Sequence, residues 1–364
     1  MNWKRIISLV GAIVAFSIGS GFATGQEILQ FFASYGVAKC IGAVVITMIL
    51  YIWICSVVMQ DGSKLKLQSA NEIWVYYCGK YFGTALKYFT PIFLFAILVV
   101  MTSGAGATIN QYYGLSSVYG RVLIVILMLA TVMLGMNKIT KLIGVLGILI
   151  IVFTLLIGII SLVINVGNLS TATAYLEENP VAKAAPTWWI SGVLYTTFMT
   201  LNLGPFLAGI GPDCEKRSDA KLGGLGGGIA FSACLIVMAL AILANIQTAG
   251  DMSVPTLVIA ESISPVFGVI FSIVLIAGIF TTTVSLLWIS CNFVAHDEKS
   301  KKFRITALIA CIIIFIGSKL PFSTLVNIIY PYTGYLGIII CLCIAYTHYF
   351  KKEKIHPETK EPVE

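Results

Sequence analysis

Apolar residues run along this chain in long blocks, with polar positions concentrated between them. Ten blocks are long enough to cross a bilayer as helices once interruptions are allowed for: 6–35, 37–59, 83–113, 118–136, 139–165, 186–211, 219–247, 266–293, 303–318 and 323–349. A helix needs about 20 apolar residues to span the hydrocarbon core. The pattern therefore predicts an all-α membrane protein with ten transmembrane helices. The block that follows Met1 to Arg5 extends well past the apolar region of a signal peptide, and nine more follow it, so it reads as an uncleaved first helix.

Two blocks carry interruptions. Ser17 to Glu27 is a glycine-rich, polar stretch inside the first, with Gly19, Gly21 and Gly25 at about mid-bilayer depth. The sixth holds Thr200, Leu201, Asn202, Leu203, Gly204 and Pro205. Helices 1 and 6 are accordingly expected to be broken at mid-membrane, because hydrocarbon tolerates irregular backbone only where it lines a cavity or is wrapped in protein. The plainer reading of such residues is close helix packing or a kink. At the second interruption, Asn202 is placed to cap a restarting helix with Gly204 and Pro205 in its first turn.

The interruptions recur at a nearly constant offset. Gly19 and Asn202 are 183 residues apart, the amphipathic stretches that open at Ser69 and Ser253 are 184 apart, and the fourth and ninth blocks, from Val118 and Phe303, are 185 apart. Each half has five spans, an odd number, so the second half enters the membrane in the opposite sense. The expected organisation is a first five-helix repeat over 1–165, an extracellular connection over 166–185, a second inverted repeat over 186–350 and a disordered cytoplasmic tail over 351–364. Paired interruptions in inverted repeats point to a transporter's binding site.

Composition agrees with a polytopic membrane protein: 58% of residues are hydrophobic and only 11% charged, against about 25% charged in soluble domains. With a cytoplasmic N terminus, Lys39, Arg121, Lys183 and Lys319 are the basic residues left outside, and the others of the 23 lie inside. This asymmetry places both termini in the cytoplasm of a bacterial-type inner membrane. The net charge of +7 is thus a topological signature; the basic residues are dispersed, and no nucleic-acid partner is expected. Nine cysteines, mostly inside spans, make no disulfide framework, and His296, His348 and His356 lack ligand spacing, so no transition metal is expected. No nucleophile–base pair or phosphate loop suggests an enzyme.

The residues from Ile18 to Phe22 resemble the Gly-Ser-Gly first-helix motif of the amino acid-polyamine-organocation superfamily, and the run on to Glu27 is similar to a bacterial amino-acid permease family within it. The resemblance implies a leucine-transporter-type fold with alternating access. It also implies that a substrate carboxylate contacts Gly19, Ser20 and Gly21, while carbonyls of Thr200, Leu201 and Asn202 receive the ammonium. Unpaired N–H groups at a helix start suit a carboxylate. Thr102 and Ser103 in the third span are further substrate candidates, and Phe22, Phe198 and Phe206 predict an apolar lining that favours a neutral amino acid.

By the same resemblance, Thr281 and Thr282 in the eighth span stand where sodium-coupled members offer two hydroxyls, with carbonyls of Ala15, Ile18 and Gly278 completing the ion site. Such hydroxyls also commonly bond back to their own helix. Proton-coupled relatives carry a lysine in the fifth span, where this chain has Ile148, Leu149 and Ile150; sodium is therefore the expected coupling ion. Glu27 has two readings. Thr24 to Glu27 fits a capping box, and an intramembrane carboxyl is a candidate for proton carriage or for binding a cationic group. The expected function is import of a small zwitterionic solute, a neutral amino acid; the alternatives are a proton-coupled transporter using Glu27, or an amino-acid-sensing receptor subunit like those of spore-germinant receptors, which share the length and ten-span topology.

Overall fold

The computed structural model describes residues 2–65, 67, 69–134, 140–214, 216–295, 297–298 and 300–350, with the side chains of 140–144 and 213 outside that description. The tail expected to be disordered lies outside the described residues. The described chain is helical, in order α1 (Trp3–Ser17), α2 (Ser20–Thr24), α3 (Gln26–Phe31), α4 (Val37–Leu65), α5 (Ile73–Tyr113), α6 (Ser117–Leu134), α7 (Thr140–Asn165), α8 (Leu169–Glu178), α9 (Trp188–Ile210), α10 (Arg217–Ala244), α11 (Ile246–Ala249), α12 (Pro255–Ile263), α13 (Pro265–Val294), α14 (Lys301–Gly317) and α15 (Phe322–Tyr349).

Among the described residues, eight helices are long and apolar enough to cross a membrane. The first and ninth predicted spans fall outside that set for different reasons. The first is divided among α1, α2 and α3, and α14 has 17 residues. The amphipathic stretches appear where expected: the start of α5 is set off by a kink at Gly79 (φ 76°), and α12 precedes α13.

The breaks differ from expectation. The first span breaks twice. Ile18 (ψ 72°) and Gly19 (ψ −172°) leave the helical path between α1 and α2, and Gly25 at φ +80° ends α2 and starts α3. The sixth span does not break: α9 runs continuously from Trp188 to Ile210 with Pro205 inside it. A proline in a helix removes one backbone hydrogen bond and bends its neighbours, which membrane helices survive when packed against others. Gly204 has a packing role here, since a Cβ on it would lie 2.4 Å from the indole of Trp74. Asn202 therefore caps nothing.

The packing comes in matched pairs. Helix α9 lies on α4 and α1 lies on α10, α5 meets α15 as α13 meets α7, and α4 with α10 and α5 with α13 form the two central contacts. Lipid supplies no hydrophobic drive between helices, so close approach depends on small residues. Helix α10 presents them on two sides: Gly223 and Gly227 receive Leu9 and Ile13 of α1, while Gly224 and Gly228 lie against Cys55 and Ile52 of α4.

One end of the bundle is tied by side-chain amides. Gln30 donates to the Ser323 carbonyl at 2.9 Å and accepts from Asn327 at 3.1 Å, and Gln111 makes paired 2.9 Å bonds with the backbone of Val254. At the other end Asp61 of α4 accepts from the Tyr77 hydroxyl at 2.8 Å, and the His348 ring of α15 stands 3.4 Å from the same oxygen.

A Cβ at Gly224 would stand 2.5 Å from the Cys55 carbonyl oxygen, whereas one at Gly11 meets nothing within 4 Å. Gly224→Ala is expected to destabilise the purified protein by about 1 to 3 kcal/mol through overpacking. Gly11→Ala is expected to be neutral or stabilising by about 0.5 kcal/mol. Thermal melts of the two variants in detergent give the comparison, and equal melting points would contradict this packing.

Candidate functional site

Helix α2 is the centre of the site, and it is only five residues long. Its own dipole is correspondingly small, so what it can offer is freed backbone rather than an extended helix field. At the end of α1 the Ser17 hydroxyl donates to the Ile13 carbonyl at 2.7 Å and also bonds the Tyr51 hydroxyl, which anchors the break to α4. The Ile18 amide reaches the Val14 carbonyl at 2.9 Å. Carbonyls of the last helical turn, including that of Ala15, are the group for which a helix end supplies no further partner.

The break reaches both long helices of the second central contact. The Ser20 hydroxyl lies 3.1 Å from Met101 Sδ on α5 and 3.2 Å from Thr282 Oγ1 on α13. Gly19 is half-buried with open space where a Cβ would be, and Gly21, Asn202 and Thr282 are half-buried too. Of the other predicted substrate residues, Ser20, Thr102, Thr200 and Leu201 are buried. Gly25 needs its left-handed backbone, and a Cβ there would also stand 2.5 Å from Thr256 Oγ1 of α12. This second break is thus clamped by α12.

The predicted ion residues divide. The Thr281 and Thr282 hydroxyls both donate to the Gly278 carbonyl, at 2.9 and 3.0 Å. Back-bonding uses their protons and leaves oxygen lone pairs available to a cation. Ile18 is buried, while Ala15 is exposed.

The predicted substrate residues divide too. Thr102 donates to the Leu98 carbonyl of its own helix at 2.9 Å, and Ser103 to the Leu320 carbonyl at 2.8 Å. Met101 is the α5 side chain that meets the break. Phe22 turns away from it and packs 5.8 Å from the Phe231 ring, against α10. Phe198 stacks on Tyr330 at 4.2 Å, and Phe206 stacks on Phe16 at 4.2 Å. Thr200 donates to the Thr196 carbonyl at 2.8 Å, and its oxygen faces Cys341 at 3.8 Å. The Asn202 side-chain oxygen has no hydrogen-bond partner among the described residues. Proline at 205 has no N–H to give, so the Leu201 carbonyl loses its helical partner.

Glu27 makes no capping box. The Thr24 hydroxyl lies 2.6 Å from the Gly21 carbonyl and 3.3 Å from the Gln26 amide. The Glu27 carboxylate instead accepts from the Tyr195 hydroxyl at 3.0 Å, and the residue is 5% exposed. Its second oxygen, the Tyr330 hydroxyl and the Met101 methyl all stand within 3.5 Å of the point where a Cβ on Gly21 would sit. Sequence reasoning missed Tyr195, Tyr330 and Met101. Their one signal was that a tyrosine deep in a span must find a hydrogen-bond partner.

No known family profile matches the chain. Two proteins of Bacillus subtilis strain 168 are similar along nearly their whole length. The uncharacterized protein YyaD is 24% identical over 345 residues, covering 94% of this chain and 97% of its own. The uncharacterized membrane protein YkvI is 24% identical over 332 residues, covering 89% and 92%. Among solved structures, MhsT in complex with L-phenylalanine superposes with a TM-score of 0.61 at 17% identity, over 93% of this chain and 87% of MhsT. A manganese transporter of Eremococcus coleocola gives 0.56 at 12% identity, over 95% and 86%. A Na+-coupled sialic acid symporter gives 0.50 at 14% identity, over 96% and 87%.

The chain has the leucine-transporter-type fold. In that fold these neighbours are transporters rather than enzymes, and their ligands are small molecules or ions.

Gly19 borders open space and Phe22 is buried against Phe231. In a background with the native cysteines replaced, Gly19→Cys is therefore expected to react with a small membrane-permeant thiol reagent, and Phe22→Cys to stay unreactive. Mass spectrometry of the labelled protein reads both, and equal labelling would contradict this assignment of faces.

Proposed function

We propose that this protein is a secondary active transporter that imports a small zwitterionic solute, a neutral amino acid, by alternating access, with sodium as the coupling ion. The observation that carries the reading is the seating of the first-span break against α13, where the Ser20 hydroxyl lies 3.2 Å from Thr282. A substrate held on the backbone of Gly19 to Gly21 and an ion held by Thr281, Thr282 and carbonyls of Gly278, Ala15 and Ile18 would then share one short helix. Ordering that helix for one ligand would lower the cost of binding the other, which is the coupling a symporter needs. A hard cation takes several oxygens of the kind these residues offer.

The matched packing of α1 on α10 and α9 on α4 supports a five-plus-five inverted repeat of ten spans, with α14 and the divided first span completing the count. The positive-inside asymmetry supports cytoplasmic termini in the inner membrane. In that orientation the amide ties of Gln30 and Gln111 close the extracellular side. Phe198 and the stacked Tyr330 favour an apolar side chain on the substrate.

The test is uptake of radiolabelled amino acids into proteoliposomes holding the purified protein, at fixed pH. An inward sodium gradient is expected to drive accumulation, and replacing sodium with choline is expected to abolish it. Accumulation that is indifferent to choline would remove sodium coupling. Saturable amino-acid binding with no flux would favour a receptor.

A further inference from the structure

A transported amino acid needs a partner for its ammonium, and the continuous sixth span leaves only part of the one expected for it, the Leu201 carbonyl and the unpartnered side-chain oxygen of Asn202. In α9 the carbonyls from Thr200 to Asn202 belong to a regular helix, and only that of Leu201 is released, by Pro205. Acceptors of the kind an unwound helix would provide are therefore few on that side. On the other side of Gly21 stands Glu27.

The surroundings of Glu27 are those of a cation site. Its first oxygen takes one bond, from Tyr195, and its second points at Gly21 beside the Tyr330 hydroxyl. It has no ion pair among the described residues, and none of the side chains that meet it (Tyr195, Tyr330, Met101) is basic. Phe198 stacks on Tyr330 and lies 6.2 Å from the Tyr195 ring, so aromatic groups border the carboxylate. A buried carboxylate without a counter-charge is costly, and a carboxylate bordered by aromatic rings is the usual chemistry for holding an organic ammonium.

We infer that Glu27 is the counter-ion for the substrate's ammonium, so that the protein selects amine-bearing solutes and rejects the same molecules without their amino group. The inference rests on the transport reading of this site and names the part of the substrate that the site recognises. The carboxylate lies over Gly21, so an incoming anionic group is turned away from that residue and toward Gly19, where the space is open. The substrate thus enters with its ammonium toward Tyr195 and Tyr330, and its carboxylate, where present, toward the α1–α2 break.

The experiment measures binding by thermal shift and calorimetry on the purified full chain in detergent, with sodium present. The probes are the standard amino acids, the amines left by decarboxylating them and the acids left by deaminating them. Wild type is expected to bind at least one amino acid, to retain measurable affinity for the corresponding amine and to show none for the deaminated acid. Glu27→Gln is expected to weaken the amino acid and amine at least tenfold, and Glu27→Asp to recover part of the loss.

Melting points of the unliganded variants within a few degrees of wild type establish that they fold. If Glu27→Gln does not, Glu27→Asp and Tyr195→Phe carry the test, each with an expected several-fold loss of amine affinity. Amino-acid binding unchanged in Glu27→Gln would overturn the inference and leave transport intact. If that variant also lost concentrative uptake but kept exchange, Glu27 would be a proton carrier. Binding of the deaminated acids alone would overturn the amine preference. Absence of binding by every probe would overturn both this inference and the amino-acid reading of the site.

Discussion

Backbone that leaves the helical path inside a membrane must be wrapped by protein, and the first span of this chain leaves it twice. Everything central in the structure answers to that constraint. Ser17 is tied to Tyr51, Ser20 lies between Met101 and Thr282, and Gly25 is clamped by Thr256. Each tie comes from a different helix, so α4, α5, α12 and α13 must all be in place before the break is covered. Cooperative assembly around a weak, five-residue helix is the outcome. A helix of five residues has few backbone hydrogen bonds of its own, and local stability of that kind is what moving parts of proteins are drawn from.

The first and sixth predicted spans have taken unequal shares of this burden. The glycine–proline pair in the sixth span was legible as an interruption, and its residues are where the sequence put them, yet the helix continues through them. Gly204 makes room for the Trp74 ring, and a proline costs one hydrogen bond rather than a turn of helix when neighbours support both sides. Composition alone does not distinguish a break from a close approach, because glycine serves both and the difference lies in what sits 130 residues away in sequence. The first span shows the opposite outcome, since Gly25 has a positive φ that obliges glycine and divides a segment expected to restart smoothly.

Glu27 illustrates how chemistry was half visible. An acid inside an apolar block was an evident anomaly, and a capping box with Thr24 was its simplest resolution. Folding brings Tyr195 within 3.0 Å instead, and the carboxylate faces Gly21 rather than the backbone of Thr24. The hydroxyls of Thr102 and Ser103 went the other way: polar residues at a plausible depth, spent on a helix carbonyl and on a loop carbonyl. Phe22 likewise belongs to the packing between α2 and α10. Aromatic residues that do border the carboxylate, Tyr195 and Tyr330, come from α9 and α15.

By itself the sequence determined that this is a helical membrane protein, where most of its spans begin and end, the glycine-rich interruption of the first span and the 184-residue recurrence of an amphipathic segment. Those follow from local quantities, since apolar length, glycine placement and spacing act on the few residues around them. Tertiary structure alone decided which interruption becomes a break, which hydroxyls remain near it, and what Glu27 faces. These depend on side chains from α4, α5, α9, α12, α13 and α15 meeting around the first span, and no periodicity along a single chain encodes that meeting.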